Sequence, residues 1–222
     1  VIWLSPVGVF CLIFSTFSSL GISIIFTLIN YFIIVVGVLI FHAVFTYSLL
    51  LISLAKINPL IFFTKMREAI IFAFSTSSSS ATMPVTLKTV EEKLGVDKSV
   101  SSFCIPLGTT INMDGTAIMQ GVATVFIAQV YQVDLSMMEY LMVIITATLA
   151  SIGTAGVPGV GLIMLAMVLQ QVGLPVEGIA LIIGVDRLLD MLRTAVNVSG
   201  DATISCIVAN SENQLSRKDF IS

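Results

Sequence analysis

VDRLLDMLRTAVNVSGDA, residues 185–202, is the stretch on which the reading turns. It sets Asp186, Asp190, Arg193, Asn197 and Asp201 at spacings of four, three, four and four in a segment otherwise apolar enough to cross a bilayer. At about 100° per residue, such spacing gathers all five side chains on one face of a helix. An ionisable group at mid-bilayer costs about 2.5 to 3.5 kcal/mol on insertion scales, so a stripe carrying four of them must face protein, water or a ligand instead of lipid.

The rest of the chain is similarly apolar. Its 222 residues are 57% apolar and 10% charged, with a mean hydropathy of +1.07. That composition excludes an ordinary soluble domain and predicts an all-α integral membrane protein. The net charge of −3 comes without a basic cluster, which excludes nucleic acid as a partner. No nucleophile–base pair or cofactor motif suggests an enzyme. Cys11, Cys104 and Cys206 are far apart in apolar surroundings and read as packing residues. Val1 opens inside an apolar stretch with no n-region or cleavage site, so a truncated start is expected in place of a signal peptide.

Apolar runs separated by short charged loops give the layout. Residues 1–22 form a first transmembrane segment and residues 23–55, without Asp, Glu, Lys or Arg, a long one. Residues 57–97 have basic flanks on both sides (Lys56, Lys65 and Arg67; Lys88, Lys93 and Lys98) around STSSSSATMP. The positive-inside rule puts both flanks in the cytoplasm and makes this a re-entrant hairpin. Residues 99–133 read as a transmembrane helix broken at NMDGT. Residues 136–176, flanked by acidic loops and broken by SIGTAGVPGVG, read as a second re-entrant hairpin from the opposite face. Residues 178–210 form the striped helix, and 211–222 a cytoplasmic tail with Arg217 and Lys218. Hairpin then helix thus occurs twice in opposite orientation, an inverted repeat characteristic of secondary transporters.

Each motif offers a chemical reading and a plain one. The hydroxyls and backbone N–H groups of Ser77 to Ser80 suit a carboxylate, or form a polar linker. In NMDGT, Gly115 permits unwinding, and Asp114 beside exposed carbonyls makes an oxygen-lined site suited to Na⁺. The alternative is that Asp114 pairs with Arg193 or Arg187. The four glycines and one proline of GTAGVPGVG, residues 153–161, form a mobile lid or a close helix–helix contact. On the stripe, Arg193 can fork onto a carboxylate, Asp190 can hold an ammonium, Asp186 can orient Arg193, and Asn197 and Asp201 can supply oxygens to a cation. The alternative is a self-satisfied charge network. His42 reads as a packed residue, and Arg187, offset from the stripe, as snorkelling to the interface or joining the polar face.

SSSSATMP, NMDGTA, SIGTAGVPG and DMLRTAVNVSGD, in this order, resemble the dicarboxylate/amino acid:cation symporter family over nearly the whole chain, corresponding to the C-terminal transport-domain part. The resemblance implies substrate contacts at Ser79, Thr116, Val157, Asp190, Arg193, Thr194 and Asn197; Ser78 and Gly161, at the same two tips, complete the candidate set. It implies one sodium site from Gly108, Asn112, Asn197 and Asp201, and a second from Thr110, Ser151, Ile152 and Thr154. A third would comprise Asn112 and Asp114 together with an earlier helix outside this chain. It further implies Na⁺-driven, elevator-like uptake, a homotrimer, and a multi-pass place in the plasma or inner membrane. The chain departs from the family at Ser77, where archaeal members carry Arg, and at Met191, where animal members do, so gating details and K⁺ counter-transport are not carried over. Arg193 favours an acidic substrate and Asp190 an amino acid over a C4-dicarboxylate. The expectation is a sodium-coupled aspartate or glutamate symporter, with a C4-dicarboxylate carrier or a substrate-binding fragment incapable of transport as alternatives.

Overall fold

The computed structural model describes residues 24–217 and Phe14. The segment expected over residues 1–22, apart from Phe14, lies outside the described residues, as does Lys218 of the tail. Among the described residues the chain is all-helical, with one isolated bridge, Val96 to Leu215, and no strand.

Helix α1, Ile24–Phe41, runs on without a break through a π-helical turn, His42–Tyr47, a short α turn, Ser48–Leu50, and a second π-helical stretch, Leu51–Ala55. The span Phe26–Ala55 is 30 residues long, and among the described residues it alone is long and apolar enough to cross a membrane unaided. Lys56, in the left-handed region at φ 56°, ends it. Asn58 then caps α2, Pro59–Thr76, by accepting from Leu60 N, and Pro59 fits the first turn because its missing N–H has no partner there to lose. Ser77, again left-handed at φ 52°, turns the chain, and Ser78 caps α3, Ser79–Glu92, by accepting from Ala81 N. α2 and α3 form a hairpin whose feet are tied by Lys65 Nζ donating to the Lys93 carbonyl at 3.0 Å and by the Lys93–Glu68 ion pair.

Asp97 caps α4, Lys98–Ile111, with its carboxylate held below the ordinary range by the Ser99 hydroxyl and backbone N–H. Asn112 and Met113 leave the helical region, and α5, Asp114–Val130, resumes at once. Gly115, expected to permit the unwinding, instead lies in the first turn of α5. Its role is steric: a Cβ there would meet the Arg193 carbonyl at 2.9 Å, so glycine lets α5 approach the striped helix. Ser136 and Glu139 form a full capping box at the start of α6, Met137–Ile152. The glycine-rich segment 153–159 separates α6 from α7, Val160–Gln171, making a second hairpin, with Gly159 at φ 81° entering α7. A 3-10 turn, Val176–Gly178, leads into α8, Ile179–Ser211, whose 33 residues run about 50 Å.

α8 is the axis of the molecule and touches every other helix except α6 closely. Two apolar cores pack along it. Leu181, Ile182, Leu189 and Val196 join α1, α5, α6 and α7 at one end. Val198, Ala202, Cys206 and Ala209 join α2, α3, α4 and the end of the first span at the other. The foot of the first hairpin lies by the C-terminal end of α8, where Asn210 Nδ2 donates to the Leu54 carbonyl and Asp97 N to the Gln214 carbonyl. The second hairpin is joined to the N-terminal end of α8 through the 3-10 turn, and the two tips meet between these ends.

Polarity is distributed inside-out. Asp186, Asp190, Arg193, Asn197, Asp201 and many Ser and Thr side chains are buried, whereas Phe26, Phe41, Phe103, Leu60, Met137 and Ile163 lie exposed on the outside. Water would penalise so much exposed apolar surface, but lipid would not.

Candidate functional site

The site forms where the two cores leave polar residues between them. Its cavity, about 20 Å³, has room for roughly one water. Ser79, Thr116, Val157, Gly161, Asp190, Arg193, Thr194 and Asn197 line it, and Ser77, Met113, Thr154, Ala155 and Gly156, not singled out as substrate contacts, line it too. Ser78 does not line it. Its hydroxyl instead donates to the Gly156 carbonyl at 2.8 Å, and Ser80 N donates to the same carbonyl at 3.1 Å, so one peptide of the second hairpin latches the tip of the first. Glycine at 156 makes this possible, because a Cβ there would lie 2.9 Å from Ser80 Oγ.

Helical periodicity brings the charged stripe together. Arg193, 1% exposed, donates through Nη1 to Asp186 at 3.2 Å and through Nη2 to Asp190 at 2.7 Å. The second oxygen of Asp190 accepts from Gly159 N at 3.1 Å, so the second hairpin is pinned to α8 as well. Arg193 Nε is buried without a hydrogen bond. The guanidinium therefore retains an unused donor beside the cavity, and its Asp190 bond is one a competing carboxylate could replace.

Below this lies an oxygen-rich layer. Asn112 Nδ2 donates to Asp201 Oδ1 at 3.0 Å, and Gly108 brings α4 so close that a Cβ would sit 2.5 Å from the same oxygen. Asn197 stands one turn nearer the cavity, its Oδ1 accepting from Gly115 N at 2.8 Å and its Nδ2 lying 3.4 Å from Thr116 Oγ1. Gly108, Asn112 and Asp201 are thus in contact, with Asn197 above them. Ser151 and Thr154 are buried at the end of α6, each hydroxyl satisfied within its own turn at 2.8 Å, while Thr110 and Ile152 are exposed. α4 and α6 touch, but no hydrogen bond joins Thr110 to Ser151 or Thr154 among the described residues.

Asp114 pairs with neither Arg193 nor Arg187. Its Oδ2 accepts from His42 Nε2 at 3.1 Å and from the Tyr47 hydroxyl at 3.0 Å. His42 is therefore no mere packing residue, and Tyr47 is a site residue that sequence reasoning missed. Arg187 is exposed on α8, away from the buried stripe.

A family model for the sodium:dicarboxylate symporter family matches residues 1–211. Among relatives, an excitatory amino acid transporter of Caenorhabditis elegans is 45% identical over 210 residues, covering 94% of this chain and 42% of the relative. Human excitatory amino acid transporter 1 is 44% identical over 223 residues, covering 99% and 41%. Human excitatory amino acid transporter 5 is 45% identical over 190 residues, covering 86% and 33%. The chain spans at most about two fifths of the length of these relatives. The family and the relatives are transporters, not enzymes. By the extent of that match the chain is a membrane protein and belongs to the sodium:dicarboxylate symporter family.

Proposed function

We propose that this chain is the substrate- and ion-handling part of a multi-pass, sodium-coupled symporter for an acidic amino acid, aspartate or glutamate. The observation that carries the reading is the buried Asp186–Arg193–Asp190 group, set against a small polar cavity between two latched hairpin tips. Arg193 and Asp190 have the charges to hold the two polar ends of the substrate. The side-chain carboxylate takes the place of Asp190 on the guanidinium fork, and the released Asp190 holds the α-ammonium. Asp186 keeps Arg193 in place meanwhile, and Ser79 with the N–H groups of the first tip receives the α-carboxylate, joined by the Ser78 hydroxyl once the second hairpin lifts and frees it from the Gly156 carbonyl. Thr116, Val157, Gly161, Thr194 and Asn197 complete the wall. Because the cavity has room for about one water, the second hairpin must lift before substrate enters.

Charge explains the coupling. Asp186, Asp190 and Asp201 are buried with Arg193 as the one buried guanidinium among the described residues, a formal excess of two negative charges, and Asp114 lies partly buried nearby. An acidic amino acid adds another. Burying that excess requires cations. Gly108, Asn112, Asn197 and Asp201 would supply one Na⁺ site, Thr110, Ser151, Ile152 and Thr154 a second through backbone oxygens, and Asn112 with Asp114 a third. The two hairpins, with feet at opposite ends of α8 and tips meeting in the middle, fit re-entrant elements of an inverted repeat. That arrangement supports elevator-like alternating access with the second hairpin as gate, and the family resemblance supports a homotrimer of the full-length protein in a plasma or inner membrane.

The test compares two substrates in the full-length protein. Asp190→Asn should reduce aspartate uptake at least tenfold while leaving succinate uptake within about threefold, because a dicarboxylate has no ammonium for Asp190 to hold. Equal loss of both would remove Asp190 from the amino-group role and favour a C4-dicarboxylate carrier.

A further inference from the structure

We propose that the π-helical turn of the first span exists to position the Asp114 carboxylate as a cation ligand, with His42 and Tyr47 as its positioning residues; this rests on reading Asn112–Asp114 as part of a sodium site. His42 and Tyr47 are five residues apart. In an α-helix, five residues turn through about 140° net, so only one of the two could face α5. A π turn, bonded from residue i to i+5, winds more slowly and brings them onto the same side of the helix. Over His42–Tyr47 the helix takes that form, and both side chains reach the same oxygen, Asp114 Oδ2, at 3.1 and 3.0 Å. Their rings pack edge to face at 4.8 Å, which fixes each against the other.

Two donors on Oδ2 fill its two lone-pair directions, and Oδ1 accepts no hydrogen bond from the described residues. The carboxylate is thereby clamped on one oxygen and presents the other. Gly200 makes room for the arrangement: a Cβ there would lie 2.6 Å from the Tyr47 hydroxyl and 2.8 Å from Asn112 Nδ2. The same hydroxyl lies 3.2 Å from the Val196 carbonyl, beside Asn197, so its single proton has a second acceptor on the substrate-bearing helix. Tyr47 thus links the Asp114 carboxylate to α8 at the level of the substrate cavity.

The test uses the full-length protein in proteoliposomes, with two readouts: the Na⁺ concentration giving half-maximal aspartate uptake, and the aspartate KM at saturating Na⁺. Tyr47→Phe removes one oxygen and keeps the ring, and His42→Leu removes the N–H donor. Each should raise the Na⁺ half-saturation about ten- to a hundredfold, the loss of one hydrogen bond to a charged group, while KM at saturating Na⁺ stays within about twofold. His42→Gln, which restores an N–H, should return close to wild type. Wild-type Na⁺ half-saturation in both Tyr47→Phe and His42→Leu overturns the proposal. So does a KM that rises in step with it, the mark of a merely structural role. His42→Gln behaving like His42→Leu removes His42 from the positioning pair. A wild-type protein indifferent to Na⁺ removes the symport reading itself and the proposal with it, an outcome distinct from unchanged variants in a Na⁺-dependent protein.

Discussion

Replacing Arg193 by glutamine would leave Asp186 and Asp190 facing a neutral amide inside the molecule, with no other cation among their hydrogen-bond partners. Removing one partner of a buried charge group costs about 3 to 5 kcal/mol. Arg193→Gln should therefore lower the thermal unfolding midpoint in detergent and abolish uptake of acidic amino acids; full uptake would show that the fork does not hold substrate. Gly108 makes an independent case. A Cβ placed 2.5 Å from Asp201 Oδ1 must push that carboxylate off Asn112, and overpacking of this kind costs about 1 to 3 kcal/mol. In Gly108→Ala the Na⁺ half-saturation should rise about tenfold or more with Arg193 chemistry intact, read as unchanged discrimination between acidic and neutral amino acids. The stripe was legible because helical spacing relates neighbours in sequence. His42 and Asp114, 72 residues apart, were not, because their meeting depends on a π turn that leaves no mark in an apolar run.

At the scale of elements, the hairpin tips matter more than the helices behind them. Ser78 and Ser80 both bond the Gly156 carbonyl, and Gly159 N bonds Asp190, so the second hairpin is tied to the first tip and to α8 by three hydrogen bonds given by or to its own backbone. Ser78→Ala removes one of them, worth about 0.5 to 1.5 kcal/mol, and should speed substrate release about two- to tenfold in a washout assay. Gly156→Ala should act more strongly in the same direction, since its Cβ would lie 2.9 Å from Ser80 Oγ and wedge the tips apart. Slower release in either variant would mean that the tips do not form the gate. Glycine clustering made the break in the second hairpin readable, and the basic flanks made the first readable as a unit. The role of Gly115 was misread, because a glycine that relaxes the backbone and one that admits a neighbouring helix look alike in sequence. Only the closeness of the Arg193 carbonyl separates the two.

For the whole molecule, composition announced the inside-out distribution of polarity, and the structure adds its partition. Two apolar cores at the ends of α8 leave a polar waist between them, crossed by both hairpin tips and by the broken joint between α4 and α5. That partition depends on contacts between distant helices, which no local pattern encodes. It bears on energetics as well, because acidic groups concentrated at the waist oppose the entry of an anionic substrate unless cations enter with it. Uptake should therefore depend on the sodium gradient itself, beyond any requirement for sodium to be present. Labelled aspartate in proteoliposomes of the full-length protein decides the matter. With an inward Na⁺ gradient, aspartate should accumulate above its external concentration and leak back when a sodium ionophore collapses the gradient. Accumulation unaffected by the ionophore, or uptake that stops at equal concentrations whatever the gradient, would rule out sodium-coupled symport.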